Sequence, residues 1–305
     1  MPQRYFDCPD GERRLIESCL AGCPRAEGRC LSLPTLISVS HQREWTGKPS
    51  ATQLINGTRL AYLQITQDYA INPFGRAFAL LGTRHHMKLD KVAQKLNALS
   101  EEKLQDEETT GILDLLVPDE TITHEAYELW DYKTAGSFKV AKALGLVSKK
   151  IPAPNGECYK TSGKWGKTGD PKLVTIWEAD PAKVDIWEWE YQSNNYRLKI
   201  EGCGFPVSRM FNQITVRDGG TIVASNRGIA ENIYKIPIRR LDDNLVRGYF
   251  KVKRLALLNA LACEELPQPC SKAESWGGRR CQGFCDVQEF CDIGIKLATN
   301  REEVK

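Results

Sequence analysis

The cysteines of this 305-residue chain restrict its fold more than any other feature. There are eleven, and nine of them fall into two clusters. Cys8, Cys19, Cys23 and Cys30 lie at the N-terminus, and Cys263, Cys270, Cys281, Cys285 and Cys291 near the C-terminus. Cys158 and Cys203 stand apart and read as ordinary buried or loop thiols. The opening Met-Pro-Gln-Arg-Tyr-Phe-Asp-Cys has no apolar core of the signal-peptide kind, so a cytoplasmic location is expected. In a reducing cytosol, clustered cysteines more often bind metal or act in catalysis than form disulfides. The N-terminal four have the spacing C-x10-C-x3-C-x6-C, and residues 1–34 carry few large apolar residues. Tetrahedral Zn²⁺ on four thiolates suits such a module, with a share in an iron–sulfur cluster or free thiols as the other readings.

Between the clusters the chain has the makings of a globular body. A content of 41% hydrophobic and 27% charged residues excludes a wholly disordered or fibrous chain. The net charge of +3 supplies no global attraction to nucleic acid, so any such surface must be local. No apolar run approaches the roughly 20 residues of a membrane span, so no membrane partner is expected.

The pattern along this body alternates helices and strands. A helix is expected from a Ser50 cap, interrupted at Gly57, and a second over 77–99. The run Glu101, Glu102, Asp106, Glu107, Glu108 reads as a solvated acidic turn. Strands are expected over 111–117 and 127–133, then a helix over 136–146. Residues 147–175, rich in Lys, Gly and Pro, read as a mobile basic loop. A helix over 183–201, late strands over 209–217 and 233–241, and an amphipathic helix over 242–263 complete the reading.

Chemistry concentrates on a few of these elements. Alternate residues of a strand face one side, so Asp131 and Lys133 project together. Asp114 on a neighbouring strand can join Asp131 as a pair of hard oxygen ligands for Mg²⁺ or Mn²⁺, with Lys133 placed to orient water or stabilise phosphate charge. The plainer alternative makes Asp131 and Lys133 solvent-facing residues of a half-buried strand. His86, on the preceding helix, could reach the same metal. Gln192 and Tyr196 are four apart on one helix face, fit to contact a phosphodiester or its attacking water.

Taken in order, these residues resemble the RecB-like branch of the PD-(D/E)xK nuclease superfamily, close to the CRISPR-adaptation exonuclease and AddB nuclease groups. The resemblance rests on Gly82-Thr83 with His86 and Leu89-Asp90, Gly111 with Asp114, Asp131 with Lys133-Thr134, and Gln192 with Tyr196. Asp90 stands where the family usually has Glu. The resemblance covers roughly residues 50–295 and implies an α/β fold, a PD-(D/E)xK nuclease core of mixed central sheet flanked by helices. On this reading 1–34 is the cysteine-rich module, 49–262 the core and 263–295 a cysteine cluster packed on it. His86, Asp114 and Asp131 would bind metal, with the Tyr132 carbonyl as a further ligand. Lys133, Gln192 and Tyr196 would complete the catalytic set.

The same relatives tend to carry a [4Fe-4S] cluster on one early cysteine and three near the C-terminus. Cys281, Cys285 and Cys291 supply C-x3-C-x5-C. The early family motif S-x-x-x-L-x-x-C-P-R-x-x-Y-L is represented by Ser50, Leu54, Arg59, Tyr62 and Leu63, without its cysteine. The fourth ligand is open between Cys270, Cys263 and Cys30, and Cys270 is the one expected, because the Pro267-Gln-Pro269 turn after the helix ending near Cys263 would bring it back toward the trio. Implied partners are DNA, of either strandedness, and a protein of DNA processing. Lys149, Lys150, Lys164, Lys167, Arg239 and Arg240 are candidates for holding the phosphate backbone. Trp187 and Trp189 could stack on bases but read more simply as core. Competing functions are a non-catalytic DNA-binding or assembly module and an RNA-directed nuclease.

Overall fold

The computed structural model describes residues 3–96, 98–122, 125–163 and 166–302. Strand β1 (Gln3–Asp7) turns through Cys8–Gly11 into β2 (Arg13–Leu15), which leads to α1 (Ile16–Ala21) and α2 (Leu33–Ser40). These two strands lie in the stretch that the sequence marked only by its cysteines. Strand β3 (Tyr69–Ile71) pairs parallel with β1 to give the sheet order β2-β1-β3. Phe6, 1% exposed, faces the shared core together with Ile16, Leu36 and Ile71.

Helix α3 (Ala51–Asn56) begins where expected, with a reciprocal capping box between Ser50 and Gln53. Gly57 then adopts φ 116°, and α4 (Thr58–Thr66) follows immediately. Next come α5 (Ala77–Lys95), β4 (Glu102–Gln105), β5 (Thr110–Leu113), β6 (Leu115–Pro118), β7 (Tyr127–Ala135) and α6 (Ser137–Ala143). The remaining elements are β8 (Leu146–Pro152), β9 (Leu173–Ala179), α7 (Trp187–Gly202), β10 (Val207–Val216), α8 (Ile222–Ser225), β11 (Ile233–Ile238), α9 (Asp243–Cys263) and α10 (Asp292–Glu302).

The fold is mixed α/β. Its largest sheet has the order β11-β10-β7-β6, with β7 and β10 parallel and both outer pairings antiparallel. Helix α7, in the long connection between the parallel strands, packs on this sheet, and α9 packs on α3, α4 and α7. None of the helices described is long and apolar enough to cross a membrane.

Two expectations change. The strand expected over 111–117 is broken at Asp114: β5 pairs with β4, whereas β6 pairs with β7. The cause is local, since the Tyr132 N–H donates to Asp114 Oδ2 at 2.7 Å, a side-chain oxygen serving where a strand would offer a carbonyl. The basic loop expected over 147–175 has ordered ends, because β8 and β9 form an antiparallel hairpin. Its apolar Leu146, Val147, Val174 and Ile176 are partly covered while the lysines remain outside, and Lys149 pairs with Glu178 across the ladder.

Candidate active site

Sheet geometry brings the charged residues of β7 inward. Leu129, Asp131, Lys133 and Ala135 alternate onto the face that α7 covers, and Asp131 is 4% exposed. The break before β6 points Asp114 at the same place, and α5 supplies His86. His86, Asp114 and Asp131 line one cleft of about 450 Å³ together with Lys133, Gln192 and Tyr196.

The contacts are specific. His86 Nδ1 lies 3.5 Å from Asp114 Oδ1 and 3.7 Å from Glu101 Oε1. Ligand atoms of His86, Glu101 and Asp114 all fall within 4.8 Å of one another. Asp131 stands outside that group and turns toward Lys133, whose Nζ is 2.6 Å from Asp131 Oδ2. Lys133 Nζ also donates to Gln192 Oε1 at 3.0 Å, and Gln192 Nε2 donates to the Tyr196 hydroxyl at 3.1 Å. The i, i+4 pair on α7 therefore faces the carboxylates. Gly111 makes room for it, since a Cβ there would fall 2.3 Å from the Tyr196 ring.

Electrostatics separate the roles. Burial raises the Asp131 carboxyl above its ordinary range and Asp114 adds to the rise, while the Lys133 ammonium and His86 oppose it. Burial works against the charged form of Lys133, but Asp131 and Asp114 outweigh it and hold the lysine above its ordinary value. Lys133 is thus a fixed cation rather than a base. His86 is raised chiefly by its bond to Asp114.

Several residues here were not legible beforehand. Glu101 belongs to the run read as a solvated turn, yet it adopts φ 53° and reaches into the cleft. Burial and Asp114 raise its carboxyl. Its position is held from below, because Ser100 Oγ donates to Asp90 Oδ1 at 2.6 Å and so ties the loop to α5. Arg43, Ser50 and Thr52 also line the cleft, with Arg43 donating to Thr110 Oγ1 at 2.9 Å. Asn212, opposite Asp131 in the β7–β10 register, is fully buried, and its amide has no partner among the described residues. A left-handed non-glycine residue beside a histidine helix is a signal visible only in three dimensions.

The expected phosphate holders mostly have other partners. Arg239 pairs with Glu190, Arg240 with Glu201, and Lys149 with Glu178. Lys164 lies outside the described residues. Trp189 is buried, in keeping with a core role.

At the other end of the chain, Cys270, Cys281, Cys285 and Cys291 line one mainly apolar cavity of about 70 Å³ with Leu60, Leu63 and Val287. Cys263 is exposed and does not line it, and Cys30 sits with the N-terminal residues. Gly57 abuts this cavity: a Cβ there would stand 3.0 Å from Cys270 Sγ. Arg59, 7% exposed, donates to Cys291 Sγ at 3.6 Å and to Asp292. Burial pushes the Cys285 thiol up to about 11.

No protein-family model matches the chain. No curated protein matches it. Among solved structures, it is similar to a chain described as "Crystal structure of SSO0001", at 12% identity over 91% of this chain and 93% of that one, with a TM-score of 0.41.

Proposed function

We propose that the chain is a metal-dependent nuclease of the PD-(D/E)xK type that hydrolyses DNA phosphodiester bonds. The observation that carries this reading is the meeting of His86, Asp114, Asp131, Lys133, Gln192 and Tyr196 in one cleft. They come from two helices, α5 and α7, from strand β7 and from the break between β5 and β6, far apart in sequence, and a charged group inside an apolar strand is costly without a partner or a task. The donor set suits Mg²⁺ or Mn²⁺: carboxylate oxygens with one imidazole. Asp131 adds a further buried carboxylate beside that group, at present paired with Lys133.

When bound, such an ion supplies a Lewis acid for the phosphoryl oxygens and an acidified water. His86, Asp114 and Glu101 would hold it, with Asp131 turning from Lys133 to join them. The protonated Lys133 stabilises charge building on the phosphate. Gln192 positions Lys133 through its Oε1, and the Tyr196 hydroxyl fixes the Gln192 amide. Arg43 is placed to meet the phosphate at the cleft rim.

The second cysteine set suits a [4Fe-4S] group on Cys270, Cys281, Cys285 and Cys291. A cavity of about 70 Å³ exceeds what one ion fills, given about 10–15 Å³ for a single water-sized centre. Its role would be structural, holding the 263–295 segment against α4, with Arg59 offsetting thiolate charge. Anaerobically prepared Cys285→Ser should lose the brown colour and the iron; full retention of iron in that variant would remove the assignment.

The reading is tested with purified protein and end-labelled single- and double-stranded DNA, with an RNA arm, in Mg²⁺, Mn²⁺ and chelator. Metal-dependent cleavage of DNA is expected. Cleavage of RNA alone would transfer the activity to that substrate, and tight binding without cleavage would make the chain an assembly module. Glu101→Gln should weaken Mn²⁺ affinity by about 10–100-fold and regain part of its rate at high Mn²⁺. An unchanged Mn²⁺ titration would exclude Glu101 from the ligand set.

A further inference from the structure

The N-terminal thiols are brought together by contacts independent of the cleft and of the C-terminal cavity. Cys8 begins the turn between β1 and β2, closed by Gly11 N–H to Cys8 carbonyl at 2.9 Å and Cys8 N–H to Glu12 carbonyl at 2.8 Å. Cys19 lies on the inner face of α1 and is 5% exposed. Cys23 Sγ donates to the Gly28 carbonyl at 3.4 Å, which folds the 23–30 loop on itself around Gly28 at φ 80°. Two arginines pull that loop against the other thiols: Arg29 donates to the Leu20 carbonyl at 3.0 Å, and Arg25 reaches Asp10 at 3.7 Å. Cys8, Cys23 and Cys30 all act electrostatically on the Cys19 thiol.

We infer that Cys8, Cys19, Cys23 and Cys30 form a structural tetrathiolate site for a single Zn²⁺, separate from both the proposed nuclease metal and the C-terminal cysteine cavity. The donors are soft, which excludes Mg²⁺ and Ca²⁺ and favours zinc. Four thiolates and one Zn²⁺ would leave a net charge of 2−, which Arg14, Arg25 and Arg29 offset in part, Arg14 and Arg25 also being paired with Asp10 and Arg25 with Glu27. Arg14 lies beside Cys8, and its Nε is buried without a hydrogen-bond partner among the described residues. A guanidinium N–H orphaned next to a sulfur is placed to donate to a metal-bound thiolate. Arg25 and Arg29 flank the loop.

Sulfurs on tetrahedral zinc stand about 3.8 Å apart at Zn–S ≈ 2.3 Å. Among the described residues no three of these sulfurs lie within 4.8 Å of one another. Zinc therefore closes the site by rotating Cys8, Cys23 and Cys30, all partly exposed, around the buried Cys19. The closed site ties α1 and the 23–30 loop to β1, and through β1 to β3.

The test uses the full chain, purified and assayed for metal. Close to one zinc per chain is expected, released as a mercurial reagent titrates the wild-type thiols and followed with a coloured zinc indicator. Cys19→Ser and the milder Cys23→Ser should lose zinc while their iron content is unchanged. Cobalt substitution should give the visible d–d absorption of tetrahedral thiolate cobalt, lost in Cys23→Ser. Stripping zinc should make Arg25 and Arg29 tryptic cleavage sites, at least tenfold faster than in the loaded chain. Wild-type zinc content in both variants would overturn the site. So would a native chain without zinc whose four thiols react freely, or one in which they are found as two disulfides.

Discussion

Asp131→Ala is expected to leave a folded chain whose cleavage rate falls by about a thousandfold or more, comparable with removing a principal stabiliser of transition-state charge. The side chain is 4% exposed and opposite Lys133, so its loss removes both a proposed ligand and the partner that keeps the lysine in place. Folding survives because the Lys133 ammonium keeps Gln192 Oε1 at 3.0 Å and remains near Asp114. Leaving the Lys133 ammonium without its buried partner also costs stability, by up to about 3–5 kcal/mol, so the rates are compared under conditions where circular dichroism shows the variant folded. Asp131→Asn, of the same shape, should lose as much rate, which separates charge from packing. High Mn²⁺ should not restore either variant, in contrast to Glu101→Gln. Cleavage by Asp131→Ala at the wild-type rate in Mg²⁺ would dismantle the site.

Arg197→Leu should destabilise the fold by about 3–5 kcal/mol, the usual cost of removing one partner from a buried charged network. Arg197 is 0% exposed. It donates to Glu201 at 2.7 Å, Asp243 at 2.6 Å, Asn194 at 3.2 Å and the Leu241 carbonyl at 3.3 Å. Those acceptors join α7 to the start of α9. Lysine cannot reproduce the fan of donors, so Arg197→Lys should rescue little. The pairing also sets an acid response. Arg197 holds the Asp243 carboxyl below its ordinary range. That contribution is complete above the ordinary carboxylate value and is lost as pH falls through the depressed one. In Arg197→Leu this part of the acid sensitivity should vanish. Denaturant midpoints at neutral and acid pH measure both effects. Because α7 carries Gln192 and Tyr196, turnover should fall along with stability.

Local signals accounted for much of this architecture. The Ser50 cap, the helices expected over 77–99, 183–201 and 242–263, and the strands expected over 127–133 and 209–217 were readable from capping residues and periodicity, with ends that differ by a few residues from those observed. So were the residues of the cleft that share a strand or helix face. What escaped depended on the third dimension. Glu101 looks like its acidic neighbours until the Ser100–Asp90 bond turns it inward. Arg43 reaches the cleft from a segment with no motif of its own, and Thr52 from within the Ser50 cap, where only the cap was read. Strands β1 and β2 are short, and although they pair locally, the other edge of β1 is filled by β3, more than fifty residues further along the chain. Cys270, expected beside the C-terminal trio because of the Pro267-Gln-Pro269 turn, does line the cavity with Cys281, Cys285 and Cys291, and Cys263 does not.

The parallel pairing of β1 with β3 also orders events in time. A ribosome delivers about 5–20 residues per second, so Phe6 waits roughly 3–13 s for Ile71, its register partner, to be made. Through that interval the β3-facing edge of the first strand stays unpaired and Phe6 lacks that part of its cover. The 8–30 stretch needs no such delay, since short loops close in well under a millisecond. The early thiols can therefore meet, and select from whatever metals are at hand, while the rest of the protein is still being synthesised.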